Sequence, residues 1–168
     1  MDIRSLQAPL RDRYAGDPAA SRITLRAEAS PEDTPIACSV EAGRAVHAAQ
    51  AHQGVGGPGT AACSGDLLLG ALAACAQITC QMVAAARGIA VERIGVVVEG
   101  DLDLQGTLGT RRDVPVGFER IRVRFQVDAP GADPEALAGL ARATERYCVV
   151  MQTLLRPPEV VAEWAPAA

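Results

Sequence analysis

Two of the five cysteines in this chain lie where the sequence favours reactive sulfur. Cys75 sits in the middle of a long apolar segment, and Cys148 opens a second apolar stretch much further along the chain. The start of a helix favours a thiolate, because unpaired N–H groups and the helix dipole lie there. Taken alone, Cys75 has the character of a buried, inert thiol. Together with Cys148 it predicts a sulfur pair, provided that the fold brings the two residues into contact.

The other three cysteines are weaker candidates for a reactive role. Cys80 lies about 140° from Cys75 around a helix of 3.6 residues per turn, so the two cannot face the same partner. We interpret Cys80 as a small core residue, and we interpret Cys38, in a short predicted strand, in the same way. Cys63 precedes the long helix, where the pKa of a thiol can be depressed, and it is a secondary candidate.

Composition and charge narrow the class of protein. The chain has 168 residues, of which 49% are hydrophobic, and this is enough apolar material for the core of one domain. A net charge of −4 without a basic cluster argues against binding of nucleic acid. Residues 1–5 show no apolar secretion signal, so we expect a cytoplasmic protein with free thiols. Five cysteines, an odd number, also fit a disulfide framework poorly.

Residues 67–86 are apolar and nearly long enough to cross a membrane. Gln77, Thr79 and Gln81 interrupt the stretch, so we predict a buried core helix and no contact with a membrane. Apolar residues share the side of Cys75, whereas small and polar residues such as Gly70 share the opposite side. Such a helix is central to its fold: one face can cover a sheet, and the other can meet a second helix or a second subunit.

The remaining pattern predicts an α+β fold, with antiparallel hairpins and helices on one face. An amphipathic helix at residues 1–15 begins the chain. The predicted order is then three short strands near 23–25, 36–41 and 44–48, a loop at 53–59, the long helix with Ser64 as its N-cap, strands at 91–102 and 118–127 with a turn at 106–115 between them, a helix at 132–146, a short helix from Cys148 and a last strand at 160–164. The strand at 118–127 alternates: one face carries Ile121, Val123, Phe125 and Val127, and the other carries Arg120, Arg122, Arg124 and Gln126. Gly43 predicts a hairpin turn, and residues 30–33 predict another turn. We predict one domain over residues 1–168, in which residues 1–18 are a helical extension.

Two segments of the sequence resemble the OsmC/Ohr family. The first is Asp66-Leu67-Leu68-Leu69-Gly70-Ala71-Leu72-Ala73-Ala74-Cys75, followed by a helix that ends at glycine and by a strand of valines. The second is Cys148-Val149-Val150-Met151-Gln152-Thr153-Leu154, which resembles the Cys-Pro-Val helix start of the family. The resemblance covers roughly residues 20–165. It implies an OsmC-like fold, an intertwined homodimer with antiparallel sheets around long central helices and sites at the subunit interface.

The resemblance also implies a thiol-dependent peroxidase that reduces organic hydroperoxides. Cys75 would attack the distal peroxide oxygen and become a sulfenic acid, and Cys148 would condense with it to form a disulfide. An external dithiol would then reduce the disulfide by exchange. The apolar residues near Cys75 suit an alkyl or lipid-like hydroperoxide. No cofactor is predicted.

The sequence departs from the family in ways that bear on activity. Peroxidase members carry Pro-Glu before the apolar helix, where this chain has Ser64 and Gly65. Asp66, one residue further on, is the nearest carboxylate. Cys148 is followed by Val149 rather than proline. The missing glutamate favours an alternative function: a non-peroxidase OsmC-like protein that binds a small apolar ligand at the dimer interface.

Three further residues are candidates for supporting roles. Arg44 and Arg146 are the candidates for the arginine that activates the thiolate in the family. His47 is a candidate proton donor to the leaving alcohol. His47, His52 and Cys63 are too widely spaced for an ordinary zinc site, so we predict no metal.

Overall fold

The computed structural model describes residues 2–31 and 37–165. Within these residues the chain forms five α-helices and five strands, which confirms the predicted α+β class. The elements are α1 (Ile3–Gly16), β1 (Ala27–Pro31), β2 (Ala37–Ala42), β3 (Ala45–Gln50), α2 (Ser64–Arg87), β4 (Arg93–Asp101), α3 (Leu104–Thr107), β5 (Arg120–Asp128), α4 (Pro134–Tyr147) and α5 (Val149–Leu155). Short 3₁₀ helices occupy Pro18–Ser21 and Gln53–Val55.

The first three strands form an antiparallel sheet in the order β1-β2-β3. Gly43 turns the chain between β2 and β3 with φ of 64°, which confirms the predicted hairpin. The sheet meets the start of α2 at one edge, where the backbone N–H of Gln50 donates to Ala62 O at 3.0 Å. The Gln50 side chain also donates to Ala61 O at 2.7 Å. These bonds fix the loop that leads into α2.

The second sheet pairs β4 with β5 antiparallel and supports the centre of α2. The inward residues of the two strands pack against buried Leu72 and Ala76; they are Val96, Val98, Ile121, Val123 and Phe125. Arginines occupy the alternate positions of β5, and Arg124 pairs with Glu99 at 2.8 Å. The predicted alternation of β5 is therefore confirmed, because one face meets the helix and the other meets solvent.

α2 is the central helix, and capping fixes both of its ends. Cys63, rather than the predicted Ser64, is the N-cap. Its backbone N–H donates to Asp66 at 2.9 Å, and its sulfur accepts from the Asp66 N–H at 3.5 Å. Gly88 ends the helix with φ of 69°, as predicted for a glycine C-cap. The serine prediction was wrong because a thiol can take the capping position that a hydroxyl usually fills.

α2 is the one helix in the described part of the chain that is long and apolar enough to cross a membrane, judged by length and composition. Its buried residues form a single stripe: Leu72, Ala76, Cys80 and Ala84. The stripe packs against β4, α4 and α5, as expected of a core helix. Cys80 lies with Leu140 in a different cluster from Cys75, which agrees with its predicted role as a core residue.

The flanking helices pack on α2. In α1, the Arg4 Nε donates to Ala86 O at 2.6 Å and ties this N-terminal helix to the last turn of α2. Asp133 is the N-cap of α4, and its carboxylate accepts from the Ala136 N–H at 2.7 Å. The predicted helices at 1–15 and 132–146 are both confirmed, with boundaries shifted by one or two residues.

Three local predictions were wrong: the strand at 23–25, the strand at 160–164 and the start of the turn at 30–33. Ile23 and Leu25 alternate with polar residues but are 78% and 86% exposed, and the first strand begins later, at Ala27. Residues 160–164 form no strand, and Trp164 is 94% exposed. The turn predicted at 106–115 is confirmed between β4 and β5, and the short helix α3 overlaps its first two residues. Ser30 of the turn predicted at 30–33 lies in β1, whereas residues 32–33 fall outside the described part of the chain. Alternation signals a strand only where a neighbouring strand is available to pair.

Candidate active site

The structure brings Cys75 and Cys148 together. Cys75 lies midway along α2 and is partly buried, whereas Cys148 is 0% exposed at the junction of α4 and α5. Both belong to the cluster around Leu72 and Ala76. Both are free thiols, and they lie close enough that each shifts the pKa of the other. This proximity is the geometric requirement for a sulfur pair.

The backbone around Cys148 explains why its neighbours reach Cys75. Cys148 is at once the C-cap of α4 and the N-cap of α5, with an extended backbone. Its N–H donates to Thr144 O at 3.0 Å, and its carbonyl accepts from the Gln152 N–H at 2.9 Å. The chain therefore turns sharply at this residue. The first N–H groups of a helix lack partners inside that helix, and here the N–H groups of Val149 and Val150 lie near Cys75 and lower its pKa.

The two thiols differ in acidity. Burial acts to raise the pKa of Cys75, but it is outweighed by four hydrogen bonds that the sulfur accepts, and the net pKa lies below the ordinary thiol value. The donors are the N–H groups of Val150 and Val149, the thiol of Cys148 and the hydroxyl of Thr79, whose oxygen lies 4.0 Å from the sulfur. The site therefore favours a thiolate at Cys75.

Cys148 shifts in the opposite direction. Burial is the main cause that raises its pKa, and both its hydrogen bond to Cys75 and the negative charge of that sulfur add to the effect. The N–H of Met151 opposes these effects without cancelling them. The pair is therefore asymmetric, because the pKa of Cys75 is lowered and the pKa of Cys148 is raised, which makes Cys75 the more readily ionised and more nucleophilic sulfur of the two.

The structure places the predicted supporting residues elsewhere. Arg44 is exposed in the β2–β3 turn, and His47 is exposed on β3 opposite Val40. Arg146 is exposed in the last turn of α4, and its guanidinium lies 5.5 Å from the centre of the Tyr147 ring. After burial, the largest effects on the pKa of Cys75 come from backbone, thiol and hydroxyl groups of its own chain, and no arginine is among them.

Cys63 and Asp66 have a capping role at the start of α2. Hydrogen bonds from Cys63 lower the pKa of Asp66, as expected for a carboxylate that caps a helix. The twelve residues from Cys63 to Cys75 span roughly 18 Å along a helix, whereas a disulfide needs Cα atoms within about 7 Å. Cys63 therefore does not reach Cys75 within one chain.

The position of the family's glutamate is occupied by Gly65 in the first turn of α2. A Cβ atom at this position would lie 3.3 Å from Cζ of Phe118. The aromatic ring therefore packs tightly against the position that a longer side chain would need. Among the described residues, no group of three or more His, Cys, Asp or Glu side chains is arranged to hold a metal ion.

Sequence reasoning missed Thr79 as a partner of Cys75. The signal was present, since residues four apart on a helix are neighbours on its surface. The helical period places Thr79 on the same face as Cys75 but does not assign it a hydrogen bond to the sulfur. The donors at Val149 and Val150 carry no side-chain signal at all, because they are backbone groups whose direction depends on the turn at Cys148.

The model of the OsmC-like protein family matches residues 57–163, which is more than half of the chain and includes both cysteines of the pair. This chain belongs to the OsmC-like protein family. The resemblance seen in the two cysteine motifs is thus confirmed. Among curated proteins, no sequence matches the chain.

Solved structures show the same fold. An OsmC-like protein from Mycoplasma pneumoniae superimposes with a TM-score of 0.66 at 15% identity, covering 80% of this chain and 89% of its own. An organic hydroperoxide resistance protein, OsmC, from Legionella pneumophila has a TM-score of 0.60 at 19% identity, with coverage of 82% and 92%. The organic hydroperoxide resistance protein OhrB of Bacillus subtilis has a TM-score of 0.51 at 18% identity, with coverage of 80% and 93%. At such identities the likeness establishes the fold, and the chemistry has to be argued from the site.

Proposed function

We propose that this OsmC-like protein is a thiol-dependent peroxidase that reduces organic hydroperoxides with Cys75 and Cys148. The observation that carries the proposal is the packing of Cys75 against the buried cluster that contains Cys148. The pKa of Cys75 is lowered there and that of Cys148 is raised, which agrees with this assignment of roles. The thiolate is the nucleophilic form of cysteine, so the residue held as thiolate is the one that attacks.

The first step consumes the peroxide. The Cys75 thiolate attacks the distal oxygen, the O–O bond breaks, and the leaving alkoxide takes up a proton to give an alcohol. The sulfur has then lost two electrons and is a sulfenic acid. The thiol of Cys148 attacks this sulfur next, which forms the S–S bond and releases water. An external dithiol reduces the disulfide by exchange, becomes a disulfide itself and returns both thiols.

We further propose that the working form is an intertwined homodimer. Apolar side chains remain open on several elements of a single chain; they include Val46, 67% exposed on β3, and Ile78, 55% exposed on α2. The β1-β2-β3 sheet makes few contacts with its own α2, so its faces are available to another subunit. Exposed apolar surface of this extent typically marks an interface. Arg44 and His47 lie on this sheet and would act across the interface if they act at all.

We also propose a domain organisation and a cellular location for the protein. We place the chain, residues 1–168, in one OsmC-like domain with residues 1–18 as an N-terminal extension. A cytoplasmic location suits it, because a reducing compartment supplies the dithiol that each turnover consumes.

A second candidate function is that of a non-catalytic OsmC-like protein that binds a small apolar ligand. Gly65 favours it, because the glutamate that serves peroxidase members has no counterpart at this position. In this case Cys75 would react with alkylating reagents no faster than an ordinary thiol, and hydroperoxides would leave the protein unchanged.

Intact-mass analysis and peptide mapping after one equivalent of cumene hydroperoxide test the two functions. A peroxidase forms the Cys75–Cys148 disulfide within seconds and loses two hydrogens in mass. Cys63→Ser is the matched control and should leave this disulfide intact. A disulfide between Cys63 and Cys75 would show that Cys63 of another subunit, and not Cys148, condenses with the sulfenic acid. An unchanged mass would refute the peroxidase and support the ligand-binding function.

A further inference from the structure

The break between α4 and α5 separates backbone groups that would pair in a continuous helix. Cys148, at the break, has an extended backbone with φ of −71° and ψ of 103°. In a continuous helix the carbonyl of Glu145 would accept from the N–H of Val149, four residues further on. Because the chain turns at Cys148, the carbonyl in the last turn of α4 and the N–H at the start of α5 both need other partners.

The side chain of Gln152 is the partner of that carbonyl. Its Nε2 donates to Glu145 O at 2.9 Å, a bond that spans seven residues and crosses the break. The backbone N–H of Gln152 donates to Cys148 O, also at 2.9 Å. Gln152 is half-buried on α5. Its two bonds connect the last turn of α4, the break and α5, and they restrain the angle between the two helices.

The start of α5 lies beside the reactive sulfur. Cys75 and Val150 pack against the same buried cluster, which contains Cys148. The N–H groups of Val149 and Val150 lie near Cys75 and lower its pKa. A backbone N–H is a single donor, so the Val149 N–H can serve the sulfur only while no carbonyl of α4 takes it. The Gln152 amide fills the position that this N–H would have in the hydrogen-bond ladder of α4.

We propose that Gln152 is a positioning residue for Cys75: its side-chain amide occupies Glu145 O in place of the Val149 N–H and so keeps that N–H directed at the sulfur. Gln152 acts through the backbone of α5. The inference rests on the proposed function only for the peroxide step, because the acidity of Cys75 can be measured with any electrophile.

Thr153 provides a matched control on the same helix. Its hydroxyl donates to Val149 O at 2.9 Å, so it too is a side chain of α5 that bonds to the backbone. This bond stays within α5 and does not cross the break. Thr153→Val therefore removes a side-chain hydrogen bond from α5 and leaves the link to α4 in place.

The first test follows alkylation of Cys75 by iodoacetamide in the full-length protein from pH 5 to pH 10, with peptide mapping to distinguish it from the other cysteines. Gln152→Met has nearly the length of glutamine and no donor. Without the amide, the Val149 N–H turns toward Glu145 O and the pKa of Cys75 rises. The rate below that pKa should fall about 2- to 4-fold, the size of one neutral hydrogen bond. Above the pKa the rate should not fall.

Three results of this test would overturn the proposal. The first is a profile of Gln152→Met that superimposes on that of the wild type. The second is an equal loss of rate at every pH, since Gln152 would then support only the packing of α5. The third is an equal rise in the pKa of Cys75 in Thr153→Val, because any weakening of α5 would then have the same effect. Thermal unfolding of both variants establishes that they are folded.

A second test needs no substitution in α5. By NMR, the amide proton of Val149 should shift in the wild-type protein as Cys75 ionises, with the apparent pKa that alkylation gives. Cys75→Ser should abolish this shift, and Gln152→Met should reduce it. A Val149 amide that does not respond to the ionisation of Cys75 would overturn the proposal.

Peroxide consumption separates this inference from the proposed function. If the wild type consumes no cumene hydroperoxide but Gln152→Met raises the pKa of Cys75, the peroxidase is refuted and the positioning role stands. If the wild type consumes the peroxide and Gln152→Met leaves the pKa of Cys75 unchanged, the positioning role alone is refuted.

Discussion

Replacing Thr79 by valine should slow the reaction of Cys75 at low pH and not at high pH. The hydroxyl of Thr79 lies 4.0 Å from the sulfur and is one of four donors that lower the pKa of Cys75. A hydrogen bond of this length stabilises the thiolate by about 0.5–1 kcal/mol, at the low end of the usual range. Loss of the bond raises the pKa, so the thiolate fraction below that pKa falls about 2- to 5-fold.

The sign of the effect changes with pH. A more basic thiolate is a better nucleophile, with a Brønsted slope of about 0.4–0.5, so part of the loss is returned. The rate of Thr79→Val should therefore fall about 2- to 3-fold below the pKa of Cys75. Above it, where both proteins are fully ionised, the rate should rise by up to about 2-fold. A purely structural defect would lower the rate at every pH.

The assay measures the rate at which iodoacetamide alkylates Cys75 in the Cys148→Ser background, from pH 5 to pH 10. Thr79→Ser keeps the hydroxyl and is the matched control, with the profile of the parent protein. Superimposable profiles for Thr79→Val and the parent would refute the role of this hydroxyl. The same conclusion would follow if Thr79→Ser behaved like Thr79→Val.

Three further predictions concern the pair, the cap and the assembly. Cys75→Ser should abolish peroxide consumption, whereas Cys148→Ser should consume one equivalent and stop at a sulfenic acid that dimedone labels; continued turnover of Cys75→Ser would contradict the mechanism. Asp66→Ala removes a capping bond and should lower the free energy of unfolding, measured in urea at neutral pH, by about 1 kcal/mol. Glu163→Ala, in the exposed C-terminal segment, is the control and should leave it unchanged. Because the pKa of Asp66 is lowered in the folded state, its contribution is present above the unfolded pKa and is lost as the pH falls through the folded pKa. Ile78→Glu should shift the protein from dimer to monomer in light scattering, while Leu155→Glu, exposed on α5, should not; a dimer that persists in Ile78→Glu would place the interface elsewhere.

Periodicity predicted those elements whose partners are close in the chain. The alternation in β5 identified both of its faces, because β4 pairs with it along its whole length. The same rule failed at Ile23 and Leu25, which have no paired strand beside them. A two-residue period shows which side chains a strand would bury. It does not show whether a second strand is present to pair with it.

The cysteine pair shows a different limit of sequence reasoning. Its members were identified by residue type and by resemblance to a family, and the structure places them in contact. The groups that lower the pKa of Cys75 are not predictable from side chains. Charge is visible in a sequence and points to arginines, whereas the N–H groups of Val149 and Val150 come near Cys75 only because the chain turns at Cys148.

The donors at Cys75 also predict how its reactivity responds to salt. Backbone N–H groups, a thiol and a hydroxyl act over hydrogen-bond distances and carry no net charge, so dissolved ions do not screen them. An arginine such as Arg44, acting across the proposed dimer interface, would be screened in part, since the Debye length falls from about 30 Å at 0.01 M to about 10 Å at 0.1 M salt. The alkylation rate of Cys75 below its pKa should therefore stay constant within about 1.5-fold over this range. A clear fall with added salt that Arg44→Gln removes would show that a charge from the β2–β3 turn holds the thiolate, and that the donors of the single chain are insufficient.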